Sequence, residues 1–226
     1  MSSASGDAST IAVVDYGMGN RRSVEKALEH IGVRAVVSCD PQTLRAADGL
    51  IVPGVGSFPR AMQNLRERGL DQLLRERVAA ATPLLGVCLG LQVLFERSTE
   101  HGGADGLGIL AGTVQALRAT SLKLPHIGWN EVRFRERESP LIDGLPRSCA
   151  FYHVHSFAPV PAREDDVLGT ASYGASFVTA VQAGSFYGVQ FHPEKSSAAG
   201  LRLLANFARL CIASAAPSVA GTARRP

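Results

Sequence analysis

A chain of 226 residues with a formal charge of +3 can build one sizeable core, but it carries no strong field for a polyanion. Its cations are scattered and form no stripe interleaved with aromatics, so nucleic acid is excluded as an expected partner. No apolar run approaches the roughly 18 residues of a membrane span, so no membrane is expected either. The cysteines, Cys39, Cys88, Cys149 and Cys211, form no C-x-x-C pair. That argues against a zinc site or redox couple, and reduced cysteines in apolar surroundings imply a cytoplasmic address. Residues 1–10 are small and polar, without the basic start and apolar middle of a signal peptide, and read as a flexible extension.

Structure is expected from Ile11. A β-branched run over residues 11–14 ends at Asp15, and the turn Tyr16-Gly17-Met18-Gly19-Asn20 follows. Val24, Ala27, Leu28 and Ile31 recur at helical spacing, and Gly32 stops that helix. Residues 33–37 and 50–52 are further strand-like runs. Residues 58–67 and 70–80 read as helices, 83–87 as a buried strand and 89–96 as a helix starting at once after it. Strand–helix alternation of this kind builds a parallel sheet with helices on its faces. Beyond it, short strands at 113–117, 131–134, 150–154, 167–172, 178–182 and 186–190 suggest an added antiparallel or mixed sheet portion. An amphipathic helix at 197–213 closes the domain, with Leu201, Leu204, Phe207, Leu210 and Cys211 on one face. One domain spans 11–213, and the Ala/Ser/Pro-rich residues 214–226 read as a disordered tail.

The chemistry concentrates in three segments. In Pro83-Leu84-Leu85-Gly86-Val87-Cys88-Leu89-Gly90-Leu91-Gln92 a buried strand runs into a tight turn and a helix, with glycines two residues either side of Cys88. This nucleophile-elbow pattern presents the thiol at the carboxyl edge of the sheet, where the helix N-terminus favours a thiolate and Leu89 N–H faces an oxyanion. The bland alternative is a buried cysteine between packing glycines. In Phe191-His192-Pro193-Glu194 a strand ends at a base, and Pro193 lets Glu194 fold back to orient it. A surface turn would read the same, and His126, His153 and above all His155, which also ends a strand, compete as bases. Val52-Pro53-Gly54-Val55-Gly56-Ser57 runs from a strand into a glycine-rich loop with no G-K-[ST] and no G-x-G-x-x-G. With Cys88 as nucleophile, an oxyanion loop fits better than a phosphate cradle or a plain tight turn.

Together these segments resemble the class I, or triad, glutamine amidotransferases. Asp15-Tyr16-Gly17-Met18-Gly19-Asn20, Pro125-His126-Ile127-Gly128-Trp129-Asn130, Val154-His155-Ser156 and Phe191-His192-Pro193-Glu194-Lys195-Ser196 further resemble the glutaminase subunits of imidazole glycerol phosphate synthase. The resemblance implies a Rossmann-like α/β fold, a mixed central sheet flanked by helices with an added small antiparallel portion. It implies a Cys88–His192–Glu194 triad that hydrolyses L-glutamine through a thioester. Gly54, Val55, Gly56, Leu89, Gln92, His155 and Ser156 would hold glutamine and its oxyanion. It implies a heterodimer with a cyclase subunit, a (β/α)8 barrel, which uses the ammonia to make imidazole glycerol phosphate and aminoimidazole carboxamide ribotide in histidine biosynthesis. Asn20, Pro125, Trp129, Asn130, Tyr152 and Lys195 would face that partner. No cofactor and no metal is implied. His153 stands where the family pattern has an aromatic, and Arg21 where it has leucine. Three rival readings remain: a glutaminase serving another acceptor pathway, a cysteine peptidase on a related fold, and a non-catalytic binding subunit. The distance from Cys88 to His192 in the chain argues against the peptidase, and the intact Cys/His/Glu set against the binding subunit.

Overall fold

The computed structural model describes residues 10–119, 121–136 and 138–215. The expected extension apart from Thr10, and the expected tail beyond Ala215, lie outside the described residues.

The β-branched runs form the strands. β1 (Ile11–Val14), β3 (Gly49–Val52) and β4 (Leu84–Val87) are buried at every position, as strands covered on both faces must be. β2 (Ala35–Ser38) pairs with β1 at the sheet edge. Between them α1 (Arg21–His30) buries Val24, Ala27 and Leu28. It ends where Gly32 turns left-handed and Val33 N–H reaches back to the Leu28 carbonyl at 3.0 Å. An unforeseen short helix, α2 (Pro41–Ala46), starts at Asp40, whose carboxylate accepts the Thr43 N–H at 2.8 Å. α3 (Phe58–Glu67) and α4 (Leu70–Ala79) follow as expected.

The helix expected over 89–96 is shorter. α5 (Leu89–Gln92) spans a single turn, and β5 (Phe95–Ser98) begins three residues later. The residues up to Glu96 have helical spacing, but tertiary pairing wins. β5 lies between β6 (Ala104–Asp105) and β7 (Leu110–Ala116), with Phe95 and Ser98 buried. The remaining strands are β8 (His126–Phe134), β9 (Ser148–His155), β10 (Phe157–Pro161), β11 (Val167–Tyr173), β12 (Ala175–Ala183) and β13 (Phe186–Val189). The nine-stranded sheet runs β2-β1-β3-β4-β13-β12-β11-β8-β9. Its first five strands are parallel, and from β13 onward every neighbour is antiparallel. A second sheet, β10-β7-β5-β6, is mixed, with β5 and β7 parallel.

Alternation along the parallel strands splits the core by face. Val13, Ile51 and Leu85 pack with Val24 and Leu28 of α1 and with Leu203, Leu204 and Phe207 of α6 (Ser197–Ala215). Val14, Leu50 and Val52 pack on the other face with Met62 and Leu65 of α3 and Leu73 and Leu74 of α4. Among the described residues α6 is long and apolar enough by composition to cross a membrane. Its buried face, however, lies on the sheet, and Asn206 donates to the Leu141 and Asp143 carbonyls at 2.8 Å each. The parallel strands β1, β3, β4 and β13 send their carboxyl ends, Asp15, Pro53, Cys88 and Gln190, to one edge, where open α/β sheets bind ligands.

Candidate active site

Cys88 closes β4 with φ 55° and ψ −111°, a conformation an L-residue adopts only under constraint. The constraint is visible. Cys88 N–H donates to the Val189 carbonyl at 2.8 Å, and the chain then doubles back against β3. At Gly90 a Cβ would lie 1.7 Å from the Val52 carbonyl oxygen, so only glycine lets the backbones pass. α5 is a single turn with little dipole of its own, so the helix N-terminus expected to favour a thiolate offers only its first N–H groups. One of these is already engaged: Leu89 N–H donates to the Gly54 carbonyl at 3.3 Å.

His192 follows β13 and is held at both ends. Its N–H donates to the Tyr152 carbonyl at 2.8 Å, and its own carbonyl accepts the Ser196 hydroxyl at 2.6 Å. Glu194 folds back so that Oε1 lies 2.8 Å from Nδ1, with the two side chains 1% and 0% exposed. The imidazole also lies close enough to Cys88 for the sulfur to raise its pKa. Since Nδ1–H donates to Glu194, it is Nε2 that faces the sulfur. Burial pushes the imidazole pKa down, but the neighbouring Cys88 and Glu194 and their negative charges outweigh it, and the pKa rises to about 10. Asn20, expected on the partner side, donates its amide N–H to the same Glu194 Oε1 at 2.6 Å.

The rival histidines are otherwise engaged. His155 Nδ1–H donates to the Phe157 carbonyl at 2.9 Å, which leaves Nε2 to accept from His126 Nδ1 at 3.2 Å. His126 Nε2 in turn accepts from the Asn130 amide at 3.3 Å, and the same amide reaches the Ser172 carbonyl at 2.9 Å. His153 Nδ1–H donates to the Phe151 carbonyl at 3.1 Å, and Nε2 accepts the Thr179 hydroxyl at 2.8 Å. Burial drives the pKa of His153 and of His155 down to about 3. Both are therefore neutral structural groups with no nitrogen left to serve as a base.

Val55, Gly56, Cys88, Leu89, Gln92, Pro125, His155 and Ser156 share one cavity of about 220 Å³. Glu100, Val154 and Phe157 complete it, and neither Glu100 nor Phe157 was singled out in the sequence. Glu100 caps α3 through Phe58 N–H at 2.7 Å, and its side chain is 15% exposed. A larger cavity of about 500 Å³ lies between β7, β10 and the β11–β12 hairpin, but no cysteine or histidine lines it. Among the described residues no group of three or more His, Cys, Asp or Glu side chains is disposed to hold a metal ion. Beside the site, Trp129 is 53% exposed, stands edge-on to Tyr152 at 6.2 Å, and Lys195 Nζ lies 5.9 Å from the Tyr152 ring. Ile127, Leu122 and Leu124 are exposed nearby along the chain, whereas the Asn130 amide turns toward His126 and Ser172.

A family model described as glutamine amidotransferase class-I matches residues 12–211. The chain belongs to the class I glutamine amidotransferases. Within that family, this amidotransferase is 50% identical over 200 residues to the imidazole glycerol phosphate synthase subunit HisH of Moorella thermoacetica, covering 88% of this chain and 94% of that protein. The HisH subunit of Aquifex aeolicus is 48% identical over 198 residues, covering 87% and 95%. Among solved structures, PurLQS from Thermotoga maritima superposes on the amidotransferase fold with TM-score 0.72 at 17% identity, covering 89% of this chain and 98% of that one. At such identity the structural likeness speaks for the fold alone.

Proposed function

We infer that this amidotransferase is the glutaminase subunit of an imidazole glycerol phosphate synthase: it hydrolyses L-glutamine and delivers the ammonia for histidine biosynthesis. The observation that carries the reading is Cys88, strained at the elbow and lining a cavity, beside a buried His192 whose Nδ1 is held by Glu194. The identity to HisH subunits over nine-tenths of their length supports the pathway.

The thiol proton moves to His192 Nε2, and the thiolate adds to the side-chain amide carbon of glutamine. His192 then protonates the departing nitrogen, ammonia leaves, and a glutamyl thioester remains. A water molecule, deprotonated by His192, adds to the thioester, and glutamate leaves as the thiolate re-forms. Glu194 keeps the proton on Nδ1 and steadies the imidazolium. The Glu100 carboxylate offers the substrate ammonium a counter-charge, and Gln92 and Ser156 line the same space.

The oxyanion donors are Leu89 N–H and Val55 N–H. In this structure the Gly54 carbonyl occupies Leu89 N–H. Carbonyl and N–H point opposite ways across one peptide plane, so rotating the Gly54–Val55 peptide withdraws the acceptor and brings in the second donor. One such donor is worth roughly 3–4 kcal/mol in the transition state. The partner is a cyclase subunit, a (β/α)8 barrel, bound as a heterodimer in the cytoplasm over Pro125, Trp129, Tyr152 and Lys195, and its bound nucleotide drives that rotation.

Ammonia release from glutamine, with and without a nucleotide-loaded cyclase subunit, tests this. Cys88→Ala and His192→Ala should each lose about 10⁴-fold or more, Glu194→Ala less, and ammonium-dependent synthesis should survive all three. Loss of acyl-enzyme formation in His155→Ala but not in His192→Ala would reverse the choice of base.

A further inference from the structure

The nucleophile has a neighbour that the triad does not use. Gln190, the residue after β13, is fully buried, and its Nε2 lies 3.6 Å from Cys88 Sγ. Which end of its amide meets the sulfur is set by a chain of partners. Gln92 Nε2 lies 3.0 Å from the Phe157 carbonyl and 3.0 Å from Gln190 Oε1. A backbone carbonyl can only accept, so the Gln92 atom facing Phe157 must be the donor nitrogen. That nitrogen's second N–H then needs an acceptor, which makes the facing Gln190 atom its oxygen. Gln190 is left with its N–H directed at Cys88.

We propose that Gln190 is a catalytic residue of the glutaminase reaction: its amide N–H donates to Cys88 Sγ and stabilises the thiolate as nucleophile and as leaving group. The proposal rests on the glutaminase reading for its consequence but not for its geometry. The surroundings of the sulfur make such a donor necessary. Cys88 is 6% exposed, so little water reaches it. As a thiol it has the Val154 carbonyl at 3.8 Å to donate to; as a thiolate it faces that oxygen's negative end. Tyr16 packs close by, but its hydroxyl donates to the Pro53 carbonyl at 2.7 Å, and burial and the Cys88 charge raise its pKa. His155 and His153 are neutral and committed, and Glu100, lining the same cavity, offers only negative charge. His192 is the cation of the pair, yet it surrenders its proton to the leaving ammonia. Gln190 is a donor that cannot be deprotonated at any stage. Its alignment comes from Gln92 on α5 and Phe157 on β10, so the second sheet reaches the nucleophile through two amides.

Site-resolved alkylation by iodoacetamide reads the thiolate without substrate or partner. Its pH profile should be recorded at Cys88, with exposed Cys39 in the same sample as control. Gln190→Met, similar in length but without a donor, should move the Cys88 midpoint up by about one pH unit, a tenfold loss of thiolate on the acid side. Glutamine turnover should fall in parallel, with the melting curve near wild type. Gln92→Met, which frees the Gln190 amide to flip, should shift the midpoint the same way, and the double variant no further than Gln190→Met alone. An unchanged or lower midpoint in a folded Gln190→Met overturns the proposal. Should that protein fail to fold, Gln190→Leu, also uncharged and without a donor, gives the same reading: a raised midpoint supports the role, an unchanged one overturns it. Wild-type protein that alkylates as described but releases no ammonia from glutamine would sink the glutaminase reading and leave the Gln190 contact standing.

Discussion

Cys88 holds its sulfur in place at a cost in backbone strain. Its φ of 55° with ψ of −111° belongs to a region in which non-glycine residues lie roughly 1–3 kcal/mol above their relaxed conformation. The usual order of glycine and alanine should therefore invert at this position. Cys88→Gly should unfold in urea with about 1 kcal/mol more stability than Cys88→Ala, while both are inactive with glutamine. Alanine matching or exceeding glycine would mean that the elbow is unstrained. At this scale the sequence was informative wherever a role leaves a local mark. Gly86-x-Cys88-x-Gly90 and His192-Pro193-Glu194 each do so within a few residues. Gln190 and Glu100 leave none, because what they meet is fixed by strand order: Gln190 reaches Cys88 only because β13 lies beside β4, and Glu100 enters the cavity only because β5 turns back after α5. The Asn20 contact with Glu194 escaped for the same reason, being made across 174 residues.

Elements with a continuous apolar run or a helical stripe were legible, and those fixed by pairing were not. The buried runs of β1, β3 and β4 and the stripes of α1 and α3 follow their periods. β5 and β6 are short and gain their order from β7, so the helical spacing after Cys88 overshot by four residues. The contact between β8, β9 and β12 carries its own consequence. His126, His153 and His155 pack with ring centroids 5.1–5.5 Å apart, and His153 occupies the position where an aromatic was expected. With a folded pKa of about 3, His153 stays neutral where an unfolded histidine would charge. The unfolded state then binds the extra proton, so this histidine's contribution is complete above about pH 6.5 and shrinks as the pH falls toward 3. His153→Phe removes that proton. Between pH 6 and 4 its stability should fall less steeply than wild type, by up to about 1.4 kcal/mol per pH unit. Urea denaturation at pH 6, 5 and 4 measures the slopes, and parallel slopes would show that His153 protonates in the folded protein.

Among the described residues part of the exposed apolar surface lies by the reactive edge, while Val160 and Ile212 are exposed elsewhere. Ile127 is 60% exposed and Trp129 53%, on a strand that also carries the buried His126. Tryptophan in the open, edge-on to Tyr152 with Lys195 over the Tyr152 ring, is costly in an isolated chain and characteristic of an interface anchor. On the proposed glutaminase reading, ammonia formed at Cys88 would protonate and escape unless the acceptor covered this edge, so the proposed docking surface would share a face with the chemistry. Trp129 is the only tryptophan in the chain, which makes its emission a direct report. Adding the cyclase subunit should shift that emission to shorter wavelength as the indole leaves water. Trp129→Ala should change the stability of the isolated glutaminase by no more than about 0.5 kcal/mol, as exposed substitutions do. It should weaken affinity for the cyclase by 2 kcal/mol or more, about thirtyfold, if the indole is a central anchor. Product formed per glutamine consumed should fall in the same variant. A Trp129→Ala protein that melts far below wild type yet couples glutamine to product normally would place this side chain among the packing residues and move the docking surface elsewhere.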